Sequence, residues 1–150
     1  MPFWEILHNK ILWAVMASGL STQILKAFAS VIWEGRLNWK RTLEPGGMPS
    51  SHAASSATLA TMIGLSAGFD SWLFALSAYV AFVVMYDAAG VRRAVGRQAM
   101  ALNRILETRT LKKKAQGLQI KLLLGHTPIE VLAGCVLGIL WGLIFHYLIG

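Results

Sequence analysis

Long apolar stretches alternate with short polar ones along this chain. Four stretches are nearly free of charge, at about residues 11–32, 52–68, 72–89 and 128–148. Each falls near the ~17–25 residues that a membrane-spanning helix uses. The second is only weakly apolar and is rich in Ala, Ser and Thr. Lys26 interrupts the first near its end, where a long side chain is expected to snorkel to the interface. The pattern predicts an all-α integral membrane protein. It forms a single membrane domain over residues 1–150 with four transmembrane helices, and a basic segment at 90–125 joins the third to the fourth. In that segment Val91, Val95, Leu102, Ile105 and Leu106 recur at helical spacing, with Arg92, Arg93, Arg97 and Arg104 between them. That spacing predicts an amphipathic helix on the cytoplasmic membrane surface. The plain alternative is a solvated basic loop.

Composition sharpens the class. Hydrophobic residues make up 55% of the chain and charged residues 14%, against about a quarter charged in soluble domains. The net charge of +7 would raise nucleic acid as a partner in a soluble protein. Here the cations flank apolar stretches, so anionic lipid headgroups are the expected partners and nucleic acid is not. The lone cysteine, Cys135, lies in an apolar stretch and permits no disulfide within one chain. Met1-Pro2-Phe3-Trp4-Glu5 lacks the basic start of a signal peptide.

Charge also orients the spans. The turn between the second and third, at Asp70-Ser71, holds no Lys or Arg. The other two connections hold nearly all of them, including Arg36, Lys40, Arg41, Lys112, Lys113, Lys114 and Lys121. Four spans put those two connections on one side. The positive-inside rule makes that side cytoplasmic, in a multi-pass protein of the cell (inner) membrane with both termini outside.

Two histidines open spans on that side. His52 follows Gly46-Gly47-Met48-Pro49-Ser50-Ser51, and His126 follows Leu124-Gly125. A helix start offers unpaired N–H groups and a positive dipole end, which suits phosphate. His126, Glu130, Gly134, Gly138 and Gly142 are spaced by four and form one stripe. Its glycines permit close helix contact, so the stripe is expected to face protein. His52, Ser56, Ala60 and Gly64 form a similar stripe. Pressing the two stripes together brings the imidazoles near each other. One imidazole can then attack phosphorus while the other protonates the leaving alkoxide. A carboxylate one turn away can fix the nucleophile's tautomer, and nearby cations can stabilise the equatorial oxygens.

Pro49-Ser50-Ser51-His52 and His126-Thr127-Pro128-Ile129-Glu130 resemble two signatures of the type 2 phosphatidic acid phosphatase superfamily, Pro-Ser-Gly-His and Ser-Arg-x5-His-x3-Asp. The wider strings at 45–52, 85–93 and 124–134 resemble its divergent branch, whose bacterial and plant members are labelled acid phosphatase or vanadium-dependent haloperoxidase-related. The likeness covers about residues 20–145. It implies His126 as nucleophile, His52 as general acid and Glu130 as the orienting carboxylate. Ser50 and the backbone at Ser51 match phosphate-binding positions. It implies no cofactor and no resident metal. Two departures stand out. The Ser-Arg of the second signature falls at Gln119 and Ile120, and Lys-x6-Arg-Pro is absent. The expected replacement cations are Arg92, Arg93 and Arg97, then Lys40, Arg41 and Lys121. Asp87, near the end of the third span, is expected to pair with Arg93 or to hold a site arginine; a metal ligand is its other reading. About six spans are usual in the superfamily, so four imply either a homodimer or a reduced core.

The expected function is therefore a lipid-phosphate phosphatase working through a phosphohistidine at the cytoplasmic leaflet, with phosphatidylglycerophosphate the first substrate to consider. The alternative is a non-catalytic lipid-phosphate binder or transporter that keeps the anion pocket. Plainer roles compete at single residues. Thr127-Pro128-Ile129-Glu130 is a capping box, and Ser50 or Ser51 is a natural N-cap. His8 and His146 lack the flanking strings and are read as interfacial.

Overall fold

The computed structural model describes residues 3–42, 47–106 and 125–149. Within them lie five α-helices: α1 (Lys10–Glu34), α2 (Ser51–Ala67), α3 (Trp72–Ala89), α4 (Val91–Leu106) and α5 (Pro128–Ile149). Short 3₁₀ turns cover Phe3–His8 and Trp39–Thr42. Local chemistry sets the helix starts. Asn9, Ser50 and Ser71 each accept a backbone N–H from the third residue on, at 3.0, 3.3 and 3.2 Å, which satisfies one of the orphan donors of a first turn. α1 ends at Gly35, whose φ of 69° is left-handed.

α2 lies at the centre, packed against α1, α3 and α5. The packing inverts the usual arrangement of a soluble domain. The largest fully buried side chains are Thr22, Thr58, Ser18 and Ser50, and the buried apolar residues are mostly alanines. Large apolar side chains such as Leu20, Phe28, Ile32, Leu76, Phe82 and Leu132 point outward. Water would penalise that surface heavily, whereas lipid does not, and small residues inside let helix backbones approach.

Three stretches are long and apolar enough to cross a membrane: Lys10–Ile32, Trp72–Ile105 and Pro128–Leu148. The second expected span does not reach that standard. α2 has 17 residues, about 25 Å at 1.5 Å per residue, and eight of them are buried. Its low hydropathy follows from its neighbours, because a helix wrapped by protein needs little lipid-facing surface. Thr58 shows what it uses instead: its Oγ1 lies 2.8 Å from Ser18 Oγ on α1 and 2.9 Å from the Gly138 carbonyl on α5.

The stripe of glycines on α5 meets α2, but on the face of Ser50, Ala53, Ala54, Ala57, Thr58 and Thr61 rather than on the expected His52, Ser56, Ala60 and Gly64 stripe, whose Gly64 instead meets Phe69 and Phe74. A Cβ at Gly134 would run into the Ser50 carbonyl, and one at Gly138 into the Ala54 carbonyl. Neither backbone can yield without moving α2. A helix forms at Val91–Leu106 within the basic segment, with Val91, Val95, Leu102 and Ile105 exposed. The Lys112–Lys114 triplet and Lys121 lie outside the described residues.

Candidate active site

One end of the bundle gathers the start of α2, the end of α3 and the start of α5. His126 sits just before α5 and is held from three directions. Its backbone N–H donates to the Ala88 carbonyl at the end of α3, 3.1 Å away. Its ring Nδ1 lies 3.1 Å from the Gly47 carbonyl and 3.1 Å from Glu130 Oε2. The Glu130 carbonyl in turn accepts the Ser50 N–H at 3.0 Å, which ties the entry to α2 to the first turn of α5. Gly47 has φ +82°, a conformation that favours glycine, and this turn presents its carbonyl to His126.

These contacts decide the tautomer. A backbone carbonyl can only accept, and a carboxylate does the same, so Nδ1 carries the proton. Nε2 then keeps a lone pair. His126 is 3% exposed. Burial pushes its pKa below the ordinary histidine value; the hydrogen bond to Glu130 opposes this, Lys26 adds to the lowering, and the Glu130 charge and the Gly47 carbonyl oppose it further. The net result is a neutral imidazole at neutral pH, oriented and carrying a free lone pair, which is what a nucleophile needs.

His52, on the first turn of α2, is exposed, and its ring centroid lies 6.0 Å from that of His126 at an interplanar angle of 65°. Ser50 is fully buried as the N-cap of α2, and Ser51 is buried beside it. An open groove of about 420 Å³ runs from His52 between α1 and α2, lined also by Gly19, Gln23, Ser55, Leu59 and Val84. The capping box is real as well. Glu130 Oε2 accepts the Thr127 N–H at 3.2 Å, and Thr127 Oγ1 accepts the Glu130 N–H at 3.4 Å. One carboxylate oxygen therefore caps the helix and orients His126 together.

A family model described as "Divergent PAP2 family" matches residues 7–141. The chain belongs to the divergent PAP2 family. It is also 38% identical, over 154 aligned positions, to the "uncharacterized membrane protein YuiD" of Bacillus subtilis (strain 168), covering 95% of this chain and 98% of that one. No solved structure matches it.

For this divergent PAP2 protein, the structure joins some of the sequence-expected residues and separates others. His52, His126, Glu130, Ser50 and Ser51 converge. Asp87 precedes Ala88, whose carbonyl holds His126, so it borders the same end. Arg97 is exposed on α4 and forms no ion pair with the described residues. Arg92 and Arg93 fall on the first turn of α4 and Lys40 and Arg41 in the second 3₁₀ turn, their side chains outside the described residues; Lys121 lies outside them entirely. No group of three or more His, Cys, Asp or Glu side chains able to hold a metal ion occurs among the described residues.

Lys26 was missed by sequence reasoning. The residue packs inside the bundle, 5% exposed; the Glu130 charge acts on it, and its own charge acts on His126. The signal was available, since a charge inside a membrane-spanning stretch marks a functional candidate by default. His8 and His146 share a pocket of about 420 Å³ with Met62 and Ser66, at the opposite end of α2 from His52.

Proposed function

We propose that this protein hydrolyses a phosphate monoester on a membrane lipid through a phosphohistidine intermediate. The observation that carries the reading is His126 Nδ1 held between the Gly47 carbonyl and Glu130 Oε2, with His52 facing the ring. His126 Nε2 attacks phosphorus, and a P–N bond forms as the ester P–O bond breaks. His52, in its protonated form, gives its proton to the leaving alkoxide. Water then attacks the phosphohistidine with His52 as base, which releases inorganic phosphate and restores the neutral His126.

Family membership and the outward apolar surface support a membrane substrate, and the groove beginning at His52 offers a lipid a way in from the side. In this reading α2 crosses the bilayer as an enclosed fourth span. α4 lies along the interface on its exposed apolar stripe, with the histidines at the cytoplasmic leaflet of the cell membrane. Cytoplasmic access makes phosphatidylglycerophosphate the first substrate to test, followed by phosphatidate and polyprenyl phosphates.

The test is phosphate release from radiolabelled lipid phosphates by the protein purified in detergent. Wild type and His8→Ala are expected to release phosphate, while His126→Ala is not. Binding of the lipids without release from any of them would instead identify a lipid-phosphate binder.

A further inference from the structure

We propose that Lys26, contributed by α1 from within its apolar span, is the cation that grips the phosphate beside His126. The assignment rests on the reading of His52 and His126 as a phosphate-handling pair, and it supplies the positive charge whose usual signatures are missing from the sequence.

Three features of the structure lead to Lys26. The first is burial. Lys26 is 5% exposed as a residue, and a lysine packed inside a membrane-spanning helix bundle is costly unless an anion meets its charge. The second is what surrounds it. It feels the Glu130 charge, and His126 feels that of Lys26, yet the Glu130 Oε2 is already engaged by His126 Nδ1 and the Thr127 N–H. Among the described residues Lys26 makes no hydrogen bond, and an ammonium carries three N–H donors with which to meet a ligand. The third is position. Gln23, one turn earlier, lines the groove that starts at His52, and its Oε1 is buried without a partner among the described residues. Residues at i and i+3 share a helix face, so Lys26 continues that face past the groove toward Glu130.

A tetrahedral oxyanion between the two imidazoles therefore meets an ammonium from α1. A phosphate monoester dianion fits this chemistry, whether it arrives as a lipid headgroup or as free phosphate. Lys26 then offsets the negative charge that His126 would otherwise face during attack, a task in which one donor is worth roughly 10²–10³ in rate.

The experiment measures binding of inorganic phosphate to the full-length protein in detergent, independently of turnover. Lys26→Met is expected to weaken phosphate binding by roughly 10–100-fold. Lys26→Arg should retain most of it, and Lys10→Met, at the far end of the same helix, should leave it unchanged. Unchanged phosphate affinity in a folded Lys26→Met protein overturns the proposal. Where Lys26→Met alone does not fold, Lys26→Met with Glu130→Gln is compared with Glu130→Gln, so that both charges are removed together. Equal affinity in those two overturns the assignment, and weaker binding in the double variant upholds it. In mixed micelles, phosphatidate that displaces inorganic phosphate with the same dependence on Lys26 supports a shared headgroup site; phosphatidate that binds without displacing it overturns that site. Lys26-dependent phosphate binding in a protein that turns over no lipid would sink the phosphatase reading and leave this one standing.

Discussion

In the proposed reaction His126 concentrates the chemistry, because two acceptors share its Nδ1 proton. Replacing Glu130 with Gln removes the charge and can present an N–H where an acceptor stood, which frees the ring to take the wrong tautomer. The expected cost is roughly 10²–10⁴ in kcat with KM little changed, checked by steady-state kinetics on a lipid phosphate. The pH profile carries a second signature. As the proposed nucleophile, His126 works only when neutral, and burial lowers its pKa. Activity therefore persists as pH falls past the ordinary histidine value of about 6.5 and is lost only once pH drops through the lowered one. Glu130 raises the His126 pKa and Lys26 lowers it. The acid limb should thus move to lower pH in Glu130→Gln and to higher pH in Lys26→Met. Opposite movements would show that the two charges do not act on His126 as described.

The pair of histidines, His52 and His126, owes its separation to the α2–α5 contact. Gly134 and Gly138 meet backbone carbonyls of α2, whereas Gly142 meets the Thr61 side chain at 2.7 Å and the Thr58 carbonyl only at 3.4 Å. Gly134→Ala and Gly138→Ala should therefore lower thermal stability by about 1–3 kcal/mol and reduce turnover by pushing His52 away from His126. Gly142→Ala should be milder on both counts. Equal effects at all three positions in a melting series would contradict this geometry. These elements were readable in the sequence because spacing by four leaves a plain record on a helix: His126, Glu130 and the glycines fell on one stripe, and that stripe does face α2. α2 itself was harder. Hydropathy records contact with lipid, and a helix wrapped by three others has little, so its 17 residues of Ala, Ser and Thr read weakly. Lys26 was harder again. A lysine near the end of an apolar stretch looks like a snorkelling residue, and only the packing of α1 against α5 shows the residue inside the bundle.

At the scale of the whole molecule, small polar residues inside and large apolar ones outside make a bundle that is complete only within lipid. The alternating helices put Gly47, Ala88 and His126 at one end, and Ser66, His8 and His146 at the other. If α2 crosses the bilayer, the two ends face opposite compartments. In a Cys135→Ser background, cysteines at Met48 and Asp70, both exposed, should react with a membrane-impermeant reagent from opposite sides of sealed vesicles. Labelling from one side alone would remove α2 as a span and, with it, the cytoplasmic placement of the site. The central claim is chemical, and rapid-quench labelling reaches it most directly. Wild-type protein mixed with a lipid labelled at its phosphate should carry acid-labile radiolabel on His126, and His126→Ala should carry none. Label that persists in His126→Ala, or phosphate released with no label on His126 at any time, would contradict the account.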